Sequence, residues 1–424
     1  MKNIVRFLTM IVFAVVSVCG LASSQVTETV LYSFGAYTGD GTLPSGGLLF
    51  DLVGNIYGVS NAGGAHCVSN YGCGTIYRLS PTGSGNWNQT ILFSFCSTGD
   101  PTSCPDGAYP AAGLIMDTAG NLYGTAGSGG TNGLGIVFRL SPPSVAGGEW
   151  TQSVLWNFSM NPNNGGRPGF GKLNMDAAGN IYGTTIGGGA KGLGTVYALS
   201  PQTDGTYAFS ILHSFSGSDG VSPDYGVTFD TSGDLYGATS QGGRGKSVCN
   251  YGCGLVYKLT ESQGTWQETV LFEFDGVVGA YPISPVSIDK SGNLYGTFEI
   301  GGGGDCPLFP SSCGGVFKLV PGSSRKYEFY FNDNGGPNDG NPQSGVTIGS
   351  GNTLYGTVGI GQGGEVYMLQ NSQETILYDF CSLPNCADGA EPSYGNVVVR
   401  GGALYGATSS GGNYGLGVVY SISK

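Results

Sequence analysis

Charge is scarce in this sequence. Asp, Glu, Lys and Arg make up 10% of its 424 residues, and there are two histidines, His66 and His213. Disordered chains are rich in charge and poor in aromatics. Here 12% of residues are aromatic and 40% hydrophobic, so disorder is not expected. Basic residues number 16 against 28 acidic ones, for a net charge of −12. That excludes nucleic acid and anionic membrane surfaces as partners, because both need basic patches. Two distant histidines cannot form a multi-histidine metal centre, and they read as surface or packing residues. No Gly-x-Ser-x-Gly elbow with a histidine partner is present. Glycine runs such as Gly301–Gly304 lack the Lys and the strand-to-helix setting of a phosphate loop. Beyond the N-terminus no apolar stretch is long enough to span a bilayer. What is abundant is glycine, 80 residues in all. Each interior glycine costs a helix about 1 kcal/mol, and there is no glycine at every third position, so long helices and collagen are both excluded. An all-β chain with many tight turns is left.

Residues 1–24 read as a secretory signal. Lys2 and Arg6 are basic, Phe7 to Val18 is apolar, and small residues follow around Ala22-Ser23-Ser24. Cys19 is preceded by bulky Val18, which speaks against a lipid anchor. Loss of Lys2 and Arg6 takes the net charge to about −14. The other ten cysteines form five close pairs: Cys67/Cys73, Cys96/Cys104, Cys249/Cys253, Cys306/Cys313 and Cys381/Cys386. None has the two-residue spacing of a zinc knuckle. Five local disulfides in an oxidising compartment are expected, each pinning a loop. The location is therefore secreted, periplasmic or at the cell surface.

Residues 25–424 are one repeat domain. Leu/Ile-Tyr-Gly recurs at Tyr57, Tyr123, Tyr182, Tyr236, Tyr295, Tyr355 and Tyr405, with a mean period of about 58 residues. Gly-x-Val/Ile-Tyr/Phe-x-Leu/Ile follows each, as in Gly135–Leu140. Leu-x-x-Phe recurs from Leu31–Phe34 to Leu377–Phe380, with a decayed version at 329–331. A short apolar run ending in Asp, such as Leu114–Asp117, leads through Asp-x-x-Gly-Asn into the Tyr-Gly motif. These segments are short, alternate apolar with polar residues, and are bounded by turn formers. Four antiparallel strands in each of seven units predict a seven-bladed β-propeller. The apolar-Asp run is assigned to inner strand A, Tyr-Gly to B, Gly-x-Val-Tyr to C and Leu-x-x-Phe to outer strand D. The chain then starts with a lone D strand, 28–34, and ends with a unit that lacks one. Residues 28–34 are expected to pair with 416–423 and close the ring, leaving no open edge. Antiparallel geometry puts the D–A and B–C loops on one face, with all five cysteine pairs.

Units such as Leu114–Asp117, Asn121-Leu122-Tyr123-Gly124-Thr125, Gly135–Leu140, Trp150 and Leu155–Phe158 resemble the GloVer tandem repeats of exported bacterial proteins, often grouped as choice-of-anchor. The resemblance covers nearly all of residues 25–424 and implies an exported bacterial protein. It supplies no catalytic residues. The sorting tail of anchored members is not expected at the C-terminus.

The D–A loops carry a recurring Asp/Asn-Gly-x-x-Pro, starting at Asp40, Asp106, Asn164, Asp219 and Asp388, with a shorter form at Asp339. Turn chemistry explains it: Asp accepts backbone hydrogen bonds and Gly supplies positive φ. The functional alternative is a ring of carboxylates around the axial channel, for a polar ligand or Ca²⁺. No single loop has the acidic density of a calcium site, so neither metal nor cofactor is expected. Asn-Tyr-Gly-x-Gly in the B–C loops places Tyr71, Tyr251 and Tyr414 where they could stack on sugar rings; loop packing is the alternative. Tyr57, Tyr123 and their equivalents are expected between blades, and Trp87, Trp150 and Trp266 are expected to be structural. The expected function is a monomeric, non-catalytic propeller that binds a glycan, cell-envelope component or protein through its disulfide-pinned face. The alternative is an extracellular lyase or hydrolase using carboxylates of that face, which needs a converging acid/base pair.

Overall fold

The computed structural model describes residues 26–66, 72–83, 85–97, 103–145, 147–244, 249–277, 279–301, 314–320, 329–330, 342, 344–359, 363–392 and 395–423. The expected signal segment, Tyr71, Asp339, Cys67, Cys306 and Cys313 lie outside them. The described residues contain seven antiparallel sheets in a ring and no α-helix. The protein is a seven-bladed β-propeller. In blade 1 the strands A to D are Gly41–Phe50, Ile56–Gly63, Thr75–Pro81 and Trp87–Ser94. In blade 4 they are Val227–Phe229, Leu235–Thr239, Leu255–Ser262 and Thr265–Glu273. Blade 7 draws its outer strand from the other end of the chain. Thr27–Ser33 pairs with Val418–Ser423 in the register Thr27 to Ser423 through Ser33 to Val418.

Each motif has a packing duty that explains its residues. The Leu of Leu-x-x-Phe is the extra residue of a β-bulge opposite strand C. Tyr77 faces Ile91 and Ile76 faces Phe93, which leaves Leu92 unpaired; Leu155, Leu212, Leu271 and Leu377 are skipped in the same way. The bulge turns the strand so that Phe three residues on is buried. Phe95, Phe158, Phe215 and Phe274 each donate their N–H to the glycine that opens strand C of the same blade. Their rings then meet the strand-C aromatic of the next blade edge-on, as in Phe95 on Phe138 at 5.4 Å and Phe215 on Tyr257 at 5.2 Å. The Gly of Tyr-Gly leaves room for that aromatic: a Cβ on Gly183 would stand 2.5 Å from the Tyr197 hydroxyl.

The Asp-x-x-Gly-Asn turns are knotted by their carboxylates. Asp117 Oδ1 accepts the N–H groups of Ala119 and Asn121, and Oδ2 accepts Asn121 Nδ2 at 2.8 Å and the Tyr123 hydroxyl at 2.9 Å. Asp51, Asp176 and Asp289 repeat the pattern. Burial raises the pKa of these four carboxyls, but the converging donors outweigh it and hold them below the usual value.

The Gly-x-x-Pro segment is not a free loop. It adds to the upper end of strand B, with Gly41 opposite Gly63 and Pro44 opposite Ser60 in blade 1. Gly165–Pro168, Ala280–Pro282 and Ala390–Pro392 do the same in blades 3, 5 and 7. Strand A is thus two pieces, an upper one carrying the motif and a lower one at the axis.

Candidate functional site

The B–C and D–A loops lie against each other, as the strand order requires. Gly64, Gly130, Gly189 and Gly412, all in B–C loops, donate their N–H groups to Asp40, Cys104, Asn164 and Cys386 of D–A loops. Disulfides Cys96–Cys104, Cys249–Cys253 and Cys381–Cys386 are formed on this looped face. Cys73 is also disulfide-bonded, and its sulfur lies 3.9 Å from that of Cys104 in the next D–A loop. Cys73, Cys96 and Cys104 are the one cluster among the described residues with ligand-like spacing. Their sulfurs are in disulfides, so none is a thiolate donor.

The acidic positions of the Asp/Asn-Gly-x-x-Pro motif turn into their own loops. Asp40 is buried and accepts from Tyr32, Gly35, Ala36, Gly41 and Gln89. Asp106 accepts the N–H and hydroxyl of Ser97 through Oδ2, and its Oδ1 is buried without a partner among the described residues. Asn164 accepts from Trp156 Nε1 and Gly165. Asp388, fully buried, accepts from Tyr378 and Ser382. Asp219 is the half-exposed member: Oδ1 holds Ser216, and Oδ2 stands 3.2 Å from His213 Nε2. The structure does not bring these side chains together around the axis. It distributes the five described ones among separate gaps between blades. Tyr251 and Tyr414 are exposed, by 74% and 54%, on separate B–C loops.

The residue before the motif proline is different. Leu43, Tyr109, Arg167, Ser222, Tyr281 and Glu391 all adopt left-handed backbone, with φ between 55° and 58°. That conformation is costly for side chains other than glycine. Two contacts with the preceding blade impose it. Each of these residues donates its N–H to a carbonyl just before the glycine of strand C, as Tyr109 does to Cys73 at 2.8 Å. The proline behind it fits against that glycine; a Cβ on Gly74 would stand 2.5 Å from Pro110 Cδ. Equivalent strained positions thus carry an aliphatic, two tyrosines, a cation, a hydroxyl and an acid.

Along the axis runs a cavity of about 540 Å³, lined by strand A of all seven blades. The buried Leu or Val of each run packs between blades, and its neighbours on either side face the axis, the period of two of a strand. Asn174, Ser287 and Thr347 each donate to a main-chain carbonyl of the next blade, at Val227, Val346 and Val397. Leu49 and Val398 add apolar side chains to the lining. Lys172 is the one charged residue among the lining residues described. Motif reading did not single it out.

Residues 17–158 and 144–309 match the Gloeobacter/Verrucomicrobia repeat, together more than half of the chain. The chain belongs to this repeat family. No curated protein matches the sequence significantly. Among solved structures, a polysaccharide lyase of the ulvan lyase family shares 10% identity over 90% of each chain, at a TM-score of 0.52. The β-propeller domain of the trilobed protease of Pyrococcus furiosus shares 7% identity over 91% of this chain and 94% of that one, at 0.48. A protein from Lactobacillus plantarum shares 14% over 81% and 86%, at 0.47. At these identities the likeness is one of fold. The fold leaves both binding and catalysis open to a member of the repeat family.

One gap between blades of this repeat protein gathers titratable groups. A cleft of about 560 Å³ on blade 4 is lined by Asp219, Arg244, Glu268 and Glu273, among others. Burial, then the charges of Asp219 and Glu273, push the Glu268 carboxyl up to about 7. Burial lowers the His213 pKa against the pull of Asp219. Glu28 in blade 7 is raised to about 7 by burial and by Asp388. Glu268 and Glu28 occupy the strand-D position three residues before the bulge leucine. Blades 1 and 2 have Gln89 and Gln152 there, which hydrogen-bond to the loop residues Asp40 and Asp106 instead.

Proposed function

We propose that the protein is an exported, monomeric binding propeller that holds glycan or cell-envelope material on its looped face, without catalysis. The observation that supports this most is the set of left-handed residues before the prolines. One backbone, held rigidly at equivalent positions, presents unlike side chains around the axis. Such a scaffold with variable display suits recognition. The axial cavity is within the ~300–1,000 Å³ of small-molecule sites. Exposed Tyr251 and Tyr414 add aromatic faces that suit sugar rings. The disulfides fit an oxidising compartment, and no helix of the described residues is long and apolar enough to cross a membrane. Screening the purified protein on a glycan array tests the reading. Binding that weakens in Tyr251→Ala and Tyr414→Ala is expected, and an array with no bound glycan would sink it.

A second reading rests on Glu268. A carboxyl titrating near neutrality beside Asp219 and Glu273 in an open cleft has the makings of a proton-transfer pair. It supports an extracellular lyase or hydrolase acting on polysaccharide. Release of reducing or unsaturated ends that stops in Glu268→Gln would favour this reading over simple binding.

A further inference from the structure

The repeat accounts for most of the axial cavity, but not for its charge. In the position just before the buried Leu or Val of strand A, five blades carry Gly or Pro and blade 7 carries Asn396. Blade 3 carries Lys172. The side chain is open to the cavity yet surrounded by the ring, and the loss of bulk water lowers its pKa. It has no ion pair or hydrogen bond to any described residue. The nearest acid in sequence on blade 4, Asp224, forms no ion pair with it. An ammonium exposed to the cavity with no partner of its own can pair with an anion from outside. In a protein of net charge −12 it is also an exception to the overall field.

Two aromatics stand beside it. Phe170, two residues earlier, is 50% exposed, and its ring centroid is 6.4 Å from that of Tyr225. Both line the cavity together with Lys172 and Asn396. Gly171 brings this segment hard against the neighbouring blade: a Cβ there would overlap the Tyr225 carbonyl. The segment is therefore fixed, not a loose loop. Further up the same segment Arg167 is exposed at the rim, so blade 3 supplies cations both at the rim and inside the cavity.

We propose that the axial cavity binds a carboxylate-bearing ligand, with Lys172 holding the carboxylate and Phe170 and Tyr225 covering an apolar face. The inference rests on the reading of the protein as a binding propeller and names the chemistry its axis selects. A carboxylate beside an apolar face is common to acidic sugars and aromatic acids, and two probes separate these sources. Titration calorimetry would compare glucuronate with glucose, and benzoate with benzyl alcohol. At least one carboxylate should bind roughly tenfold or more tightly than its neutral counterpart, the scale of a charged hydrogen bond. Lys172→Met should abolish that preference, whereas Lys191→Met, on an exposed loop of the same blade, should keep it. Removing an unpaired charge should leave the melting temperature of Lys172→Met unchanged or higher. Should that variant fail to fold, wild-type lysines labelled by reductive ¹³C-methylation give the answer by NMR. The Lys172 resonance should titrate at higher pH when the preferred carboxylate is present. Equal binding of acid and neutral probes, carboxylate binding untouched by Lys172→Met, or an unmoved Lys172 titration would each overturn the proposal. Glycans bound through Tyr251 and Tyr414 with no carboxylate preference would also overturn it, while leaving the broader binding function standing.

Discussion

Pro223 Cδ in blade 4 lies 2.5 Å from the point where Gly194 of blade 3 would carry a Cβ. The same contact joins Gly74 to Pro110, Gly254 to Pro282 and Gly417 to Pro44, so it is a repeated seam of the ring. Gly194 also has φ of 102°. Gly194→Ala should therefore cost about 2–4 kcal/mol, strain plus overpacking. Gly205 has φ of 85° with nothing near its Cβ position, and Gly205→Ala should cost about 1–2 kcal/mol. Urea denaturation of the two variants separates strain from steric clash; equal losses would remove the seam's importance.

The Tyr197 hydroxyl is fully buried and has no hydrogen-bond partner among the described residues. Blades 2 and 5 place Phe138 and Phe317 at the equivalent position. Tyr197→Phe should therefore stay within about 1 kcal/mol of wild type, or exceed it, because it removes an unsatisfied group. Tyr197→Ala should lose about 3–5 kcal/mol through the cavity it leaves. Differential scanning calorimetry would show both, and a large loss in Tyr197→Phe would reveal a partner for the hydroxyl.

Asp117 gathers four donors into one hairpin turn. Asp117→Ala strands the buried end of Tyr123 and two turn N–H groups. A loss of about 2–3 kcal/mol is expected, with faster amide exchange at Ala119 and Asn121. A variant as stable as wild type would show that backbone geometry alone makes the turn.

The pH dependence of stability has a definite sign. Glu28 and Glu268 are raised to about 7, and Glu374 and Asp224 to about 6. Burial is the first cause in each. Between their unfolded and folded pKa values the folded state binds more protons, so stability falls as pH rises from about 4 to 7. His213, with its pKa lowered, opposes this trend as a single group. The turn carboxyls Asp51, Asp117, Asp176 and Asp289 act the other way. Their pKa values are depressed, so their contribution is present above the unfolded value and is lost as pH falls through the folded one. Stability should peak on the acid side of neutrality, between these two windows. Urea midpoints from pH 3 to 8 would trace the peak, and Glu374→Gln should flatten the neutral limb.

The fold was legible because each strand has a motif bounded by glycine, and because the repeat register assigns a D strand to the N-terminus. The pairing of Thr27–Ser33 with Val418–Ser423 follows from that count alone. What motif reading missed are contacts between units. The seam from Gly194 to Pro223 joins two motifs that each look like turn chemistry in isolation. The bulge at Leu92 is invisible until strands C and D are laid side by side. Loop carboxylates such as Asp40 and Asp388 can be read as ring ligands or as turn residues, and here the donors of their own loops surround them. Lys172 did leave a trace in the sequence, since it breaks a column of Gly and Pro in the aligned repeats. Only the ring geometry turns that break into a charge inside a cavity.

Closure by the first strand governs the order of assembly. The segment Thr27–Ser33 emerges first and must wait for Val418–Ser423, nearly four hundred residues later, before its backbone is paired. Six blades can form from neighbours in the chain, while the seventh depends on the whole molecule. Until then two complementary edges are exposed, and a second chain can meet either of them. Crowded nascent molecules would therefore exchange first strands and link into chains, and dilution during refolding should favour the closed monomer.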